Sequence, residues 1–113
     1  MSASDLRKQT ESERIKKALI KLRDFGHIVM NFNNRKFNNP GIKGHLDWEI
    51  YSKRNAVYIE SKIGRDTPSD EQKKVMKRLA YLMGLPNSRI YVTSIKTGKE
   101  AETIADRILK GEL

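Results

Sequence analysis

The fold is decided by the stretch LDWEIYSKRNAVYIESKI, residues 46–63. Two runs of alternating apolar and polar residues flank the polar segment Lys53 to Asn55, which is the pattern of two strands joined by a tight turn. Because successive side chains point to opposite faces of a strand, one face of this hairpin is apolar and the other is acidic. The apolar face predicts the centre of the core, and it carries Trp48, Ile50, Val57, Ile59 and Ile63.

The segments on either side of the hairpin predict an α/β fold. Apolar residues recur at helical spacing over 12–25, and a weak alternation over 27–32 predicts another strand. After the hairpin, a helix is expected to run to residue 83, with Thr67 as its N-cap, Pro68 at its first position and Asp70 bonding back to the cap. A strand over 89–93 and a helix over 99–110 follow. The predicted order is αβββαβα, with a central mixed sheet flanked by helices.

Composition narrows the class of protein. A chain of 113 residues, 37% hydrophobic and 33% charged, fits one globular domain over residues 1–113, of which 1–10 are expected to be flexible. It has no cysteine, no apolar run near the ~20 residues that span a bilayer, and no apolar signal-peptide core in its first ten residues. These features predict a cytoplasmic protein without a membrane partner. The net charge of +9 favours a polyanionic partner such as nucleic acid.

The acidic face of the hairpin carries the candidate chemistry. Asp47 belongs to the first strand, and Glu60 and Lys62 share one face of the second. All three side chains lie on the same side of the sheet only if the hairpin loop has an even number of residues. A loop of Arg54-Asn55, or one of Lys53 to Ala56, meets this condition. Either loop predicts that Asp47 lies opposite Lys62 and diagonal to Glu60.

Two carboxylates beside a lysine suit the hydrolysis of a phosphodiester bond. Mg²⁺ or Mn²⁺ prefers oxygen ligands, and Asp47, Glu60 and the backbone carbonyl of Ser61 would hold it together with waters and a substrate phosphate. The ion would polarise the phosphate and make its bound water more acidic. Lys62 would orient that water or stabilise the negative charge of the transition state. The ordinary alternative is a solvated polar face with no catalytic role.

Basic residues near the acidic face predict contacts with the phosphates of DNA. Arg35, Lys36 and Lys43 lie in the loop before Asp47, and Lys73 and Lys77 lie on the helix after the hairpin. Such side chains position nucleic acid through its backbone. A solvated loop and a solvated helix face are the alternatives.

Three motifs in this order are similar to those of a known family. They are Gly44-His45-Leu46-Asp47, Tyr58-Ile59-Glu60-Ser61-Lys62 and Thr67-Pro68-Ser69-Asp70-Glu71-Gln72. Together they resemble the virus-type replication-repair nuclease domain, which belongs to the PD-(D/E)xK or restriction-endonuclease-like superfamily. The resemblance implies a restriction-endonuclease-like core in which Asp47 and Glu60 bind the metal and Lys62 is catalytic. Leu46 stands where many relatives have proline.

The same resemblance implies two further site residues. Gln72 corresponds to a helix glutamine near the active site. A glutamate of the first helix acts as another metal ligand in the family; Glu11 is the choice here because it shares a helix face with Ile15, and Glu13 is the alternative.

The function predicted from the residues and the resemblance is a metal-dependent DNA endonuclease, selective for branched DNA such as four-way junctions. The small stand-alone members of the family, which this chain resembles, occur in phages and act as homodimers. Two alternatives stay open. One is a non-catalytic DNA- or RNA-binding module on the same scaffold, and the other is a sequence-specific endonuclease of the restriction or homing type.

Overall fold

Three helices and four strands make up the part of the chain that the computed structural model describes, residues 3–32, 46–62 and 69–113. Helix α1, Ala3–Ile20, continues into a 3-10 turn, Lys21–Phe25. Strands β1, Ile28–Asn31, β2, Trp48–Tyr51, and β3, Ala56–Ser61, follow. The chain then forms helix α2, Asp70–Met83, strand β4, Ile90–Ile95, and helix α3, Gly98–Leu109.

The four strands form one mixed sheet in the order β1-β2-β3-β4. β1 pairs antiparallel with β2, and β2 pairs antiparallel with β3. β3 pairs parallel with β4, and α2 lies between these two strands in the chain, as a parallel connection requires. The predicted α/β class, with a central mixed sheet flanked by helices, is confirmed.

The apolar face of the hairpin packs against α1 and α3. Trp48, Ile50, Val57 and Ile59 are buried in one cluster with apolar residues of both helices. The members from α1 and the turn after it are Ile15, Leu19 and Leu22, and those from α3 are Ala101, Ile104, Ala105 and Ile108. The prediction that Trp48 belongs to the core is confirmed.

Helix α2 contacts β4, and its buried Leu79 lies outside that cluster. The backbone N–H of Val92 in β4 donates to Met83 Sδ at the end of α2, over 3.4 Å. This bond places the end of α2 against β4, which lies at the edge of the sheet next to β3.

Two predicted helix starts were wrong. α1 begins at Ala3, so residues 3–10, which were expected to be flexible, are helical. The N-cap of α2 is Ser69, whose hydroxyl accepts the N–H of Gln72, while Gln72 Oε1 accepts the N–H of Ser69. This reciprocal capping box satisfies two backbone donors, which explains why the helix begins after Ser69 rather than after Thr67. Thr67 and Pro68 themselves lie outside the described residues.

In the described part of the chain, none of the helices is long and apolar enough to cross a membrane.

Candidate active site

The hairpin register decides which side chains meet on the acidic face. Trp48 pairs with Ile59 and Tyr51 pairs with Ala56, so the loop comprises Ser52 to Asn55. The loop therefore has an even number of residues, as the site required, although it is neither of the two loops that were predicted. The observed pairing of β2 with β3 is shifted by two residues from the predicted one. Continued by one residue beyond Trp48 and Ile59, it brings Asp47 opposite Glu60 rather than opposite Lys62.

Side-chain hydrogen bonds of Ser52 explain this register. Its hydroxyl oxygen accepts the backbone N–H of Asn55 over 3.0 Å and that of Arg54 over 3.3 Å. The N–H of Ser52 donates to the carbonyl of Asn55 over 2.9 Å. A serine that bonds to the backbone two and three residues later closes a turn by itself, so the loop begins at Ser52 instead of one or two residues later.

Asp47 lies immediately before β2 and is fixed between two strands. Its carbonyl accepts the N–H of Phe32, next to β1, over 2.8 Å. Its Oδ2 accepts the N–H of Ser61 in β3 over 2.9 Å, and the residue is only 9% exposed. Because the N–H and C=O of one strand residue point to the same neighbouring strand, the carbonyl of Ser61 also points towards Asp47. The Asp47 carboxylate and the Ser61 carbonyl are therefore on the same side of β3 at its end.

Glu60 is the most perturbed acid of the site. It is 4% exposed, and its Oε2 is buried with no hydrogen-bond partner in the described part of the chain. Burial above all, together with a hydrogen bond with Asp47 and the charge of Asp47, raises the pKa of Glu60 to about 8, although the charge of Lys62 lowers it. Asp47, Glu60 and Lys62 are therefore close enough to interact.

This group fits a hard divalent cation with part of its coordination supplied from outside the chain. A buried carboxylate oxygen without a partner is unfavourable unless a proton or a cation compensates it. Among the described residues, no cluster of three or more His, Asp or Glu side chains could hold a metal ion. The protein would thus provide two carboxylates and the Ser61 carbonyl, and waters and a phosphate would complete the shell, as Mg²⁺ tolerates.

Gln72 lies in the first turn of α2 and is half-buried. Its Oε1 accepts the N–H of Ser69 over 2.8 Å, so its side-chain carbonyl has a structural task in the capping box. The catalytic role of Gln72 stays a prediction.

Glu11 contacts α3 rather than the two acids. Its Oε2 accepts the N–H of Gly98, at the start of α3, over 2.6 Å, and its Oε1 lies 3.7 Å from Arg14 Nη1. Glu13 is exposed. The structure gives Glu11 a partner that needs no metal, and its role as a metal ligand stays a prediction.

The predicted DNA contacts fall into two groups. Lys73 and Lys77 are exposed on α2, the helix that contacts β4. Arg35, Lys36 and Lys43 lie outside the described residues.

Glu49 is a buried acid on the same face that the sequence analysis left without a role. It is 7% exposed, pairs with Tyr58 across the hairpin, and accepts a hydrogen bond from the Tyr51 hydroxyl over 3.0 Å. Partial burial and this hydrogen bond raise the pKa of Tyr51 to about 12. The signal that could have revealed this cluster is a glutamate between two tyrosines on the strand face that carries Asp47 and Glu60.

No family model, curated protein or solved structure matches the chain.

Proposed function

We propose that this chain is a divalent-metal-dependent DNA endonuclease that hydrolyses phosphodiester bonds. It would belong to the restriction-endonuclease-like group, as a virus-type replication-repair nuclease domain. The observation that carries the proposal is the pairing of Asp47 with Glu60 beside Lys62, in which the buried Oε2 of Glu60 has no hydrogen-bond partner in the described part of the chain. Buried acids with strongly perturbed pKa values are more common at functional sites than elsewhere.

Each residue has a separate task in this proposal. Asp47 and Glu60 would bind Mg²⁺ or Mn²⁺, with the Ser61 carbonyl as a third protein ligand. When bound, the ion would polarise the scissile phosphate and acidify its water. Lys62 is half-buried on the face of Glu60, where its ammonium would stabilise the charge that develops on the phosphate oxygens. Lys73 and Lys77 would hold the DNA backbone next to the site.

The preference for branched DNA and the homodimer are parts of the same proposal that rest on the resemblance alone. Two copies related by a two-fold axis would place two active sites on two strands. This arrangement suits a four-way junction, where paired cuts separate the arms.

A second candidate function is a non-catalytic nucleic-acid-binding module. It is favoured by the contact of Glu11 with Gly98, which leaves only two acids together among the described residues. In that case the carboxyl groups of Asp47 and Glu60 would share a proton rather than a metal ion.

Incubation with labelled DNA separates the two candidates. The purified protein is mixed with Mg²⁺ or Mn²⁺ and a panel of duplex, single-strand, flap, splayed and four-way junction DNA. Lys62→Ala and Glu60→Ala are compared with the matched surface variants Lys16→Ala and Glu100→Ala. The expected result is metal-dependent cleavage, strongest on a branched substrate, that only the two site variants lose.

The alternative outcomes are distinct. Tight binding without cleavage of any substrate would favour the binding module. Cleavage that Lys62→Ala and Glu60→Ala both retain would place the active site elsewhere. Equal cleavage of all structures at one short sequence would favour a sequence-specific endonuclease.

A further inference from the structure

A concave surface lies at the opposite end of the sheet from the acids. This surface, the hairpin groove, has a volume of about 910 Å³ and is lined by Phe25, Lys53, Arg54, Asn87, Arg89 and Lys110 among others. Its cationic loop precedes β3, whereas Glu60 lies near the end of that strand. From the end of the loop at Asn55 to Glu60 the chain takes five steps of about 3.3 Å each, which separates the two places by roughly 16 Å, so the groove is not part of the acid site.

The charge of the groove is positive and largely uncompensated. The described residues of its lining include two lysines and two arginines, and none of them is an aspartate or glutamate. Lys110 forms an ion pair with Asp106 over 2.9 Å. None of the ion pairs in the described part of the chain involves Lys53, Arg54 or Arg89. Several unpaired cations around one concavity favour a ligand with more than one phosphate.

The wall that carries these cations is held in place before any ligand binds. Ser52 Oγ lies 2.8 Å from the carbonyl oxygen of Leu113, to which it can donate, and 3.0 Å from the backbone nitrogen of Asn55. Arg54 Nη1 donates to the carbonyl of Gly111 over 3.4 Å. The hairpin loop is thus tied to the segment after α3, which lowers the ordering cost of binding.

Phe25 gives the groove an aromatic surface. It ends the 3-10 turn after α1, is 57% exposed, and lines the groove beside the cations. The chain turns into β1 at Gly26, whose φ of 87° favours glycine, and this turn sets the place of Phe25. An exposed ring next to unpaired cations is the combination that binds single-stranded nucleic acid, because bases stack on the ring while phosphates meet the cations.

We propose that the hairpin groove binds an unpaired nucleic-acid strand. Lys53, Arg54 and Arg89 contact successive phosphates, and one base stacks on Phe25. This site is separate from the acid site and binds a strand whether or not the protein cleaves DNA. In a nuclease it would hold an unpaired segment of the substrate at a distance from the cut.

Binding of a fluorescent oligothymidylate of about eight nucleotides tests the proposal, with EDTA present so that no cleavage occurs. The full chain is compared with Lys53→Ala/Arg89→Ala and with the control Lys16→Ala/Lys17→Ala, which removes the same charge from the exposed face of α1. The groove variant is expected to bind at least tenfold more weakly than the control. The slope of log affinity against log salt should fall by about 1.4, because two phosphate contacts are lost.

The stacking contact has its own pair of variants. Phe25→Leu keeps an apolar side chain and should weaken binding at least fivefold, whereas Phe25→Trp should restore it. An abasic oligonucleotide of equal length has no base that can stack on Phe25. Its affinity for the parent protein should therefore be as low as the affinity of oligothymidylate for Phe25→Leu. Circular dichroism verifies that each variant is folded.

Three results would overturn the inference. One is equal binding by the groove variant and its control, and another is binding to poly-glutamate as tight as to the oligonucleotide, which would indicate a site for acidic polymers. The third is an unchanged affinity of Phe25→Leu. Failure of the acid-site variants to abolish cleavage would leave these binding results unaffected, so the two proposals can fail separately.

Discussion

At the scale of single residues, Glu60 is the group on which the proposed chemistry depends. Its buried Oε2 has no partner in the described part of the chain, and its neighbour Asp47 is already bound to the N–H of Ser61. A pKa of about 8 means that the Glu60 carboxyl holds a proton at neutral pH until a cation displaces it. Binding of a metal ion by Glu60 would therefore be coupled to the release of this proton.

The affinity for Mn²⁺ is predicted to depend on pH through Glu60. Below the pKa of Glu60, about 8, each pH unit should tighten the apparent dissociation constant about tenfold, and the affinity should level off above that pH. Isothermal titration calorimetry in two buffers of different ionisation enthalpy measures both the affinity and the released proton. Glu60→Gln should lose this dependence and Glu100→Gln should keep it. An affinity that does not change between pH 6 and 8 would contradict the coupling.

Without metal, the free energy of unfolding should fall as pH rises, whereas the metal affinity should increase. Folding raises the pKa of Glu60 from about 4.5 to about 8. The protonated Glu60 carboxyl therefore stabilises the folded state fully below about pH 4.5, and this stabilisation is lost as pH rises through about 8. Glu60→Gln should therefore be more stable than the parent at pH 8.5, by about 1–3 kcal/mol, because it removes a buried charge. Urea unfolding at pH 5 and 8.5 measures the difference. A Glu60→Gln protein that is equally destabilised at both pH values would contradict this explanation.

The sequence was sufficient to predict which residues share the acidic face, but not which of them lie opposite each other or every role on that face. Alternation along two strands placed Asp47, Glu60 and Lys62 together, because the apolar residues between them have to face the core. Local sequence did not reveal that Glu49 would be buried, since its burial depends on contacts across the hairpin. It also did not assign Gln72 to the capping box, because Thr67 and Ser69 are equally good caps by residue type.

At the scale of helices and strands, the sequence predicted that the hairpin loop has an even number of residues but not which residues form it. The parity of the loop followed from the requirement that the apolar residues of both strands share one face. The choice among even loops depended on the hydroxyl of Ser52, which bonds to the backbone of Arg54 and Asn55. Residue propensities alone do not rank loops that differ by two residues. The predicted strand register was therefore wrong by two residues, although the even number of loop residues was predicted correctly.

The contact between α1 and α3 yields a prediction about Glu11. Its carboxylate accepts the N–H of Gly98 at the positive end of α3, so Glu11→Ala should lower the free energy of unfolding by about 1 kcal/mol. Its affinity for Mn²⁺ should stay within about twofold of the parent. Denaturant unfolding and metal titration measure the two effects, with the exposed Glu13→Ala as the control. A Glu11→Ala protein with parental stability and weakened metal binding would instead support Glu11 as a ligand.

At the scale of the whole molecule, the sheet separates an acidic end from a basic end. Asp47 and Glu60 lie at one end of the central β2-β3 pair, and Lys53, Arg54 and Arg89 lie at the other. The net charge of +9 predicted a polyanionic partner but not where it binds. The location of the hairpin groove depends on the packing of the β2-β3 loop against the end of α3, which no local pattern of the sequence encodes.

The cleavage rate under single-turnover conditions tests the proposed active site most directly. A four-way junction is incubated with excess protein and Mn²⁺ at pH 8.5, where Glu60 is largely ionised. Lys62→Met should cleave at least about 100-fold more slowly than the parent, because it keeps the length of the side chain but loses the charge on the transition state. Binding of the junction in EDTA should change less than about threefold, and Lys16→Met should behave as the parent. Cleavage by Lys62→Met at the parental rate, or no cleavage of any substrate by the parent with metal present, would contradict the assignment of this site as a nuclease active site.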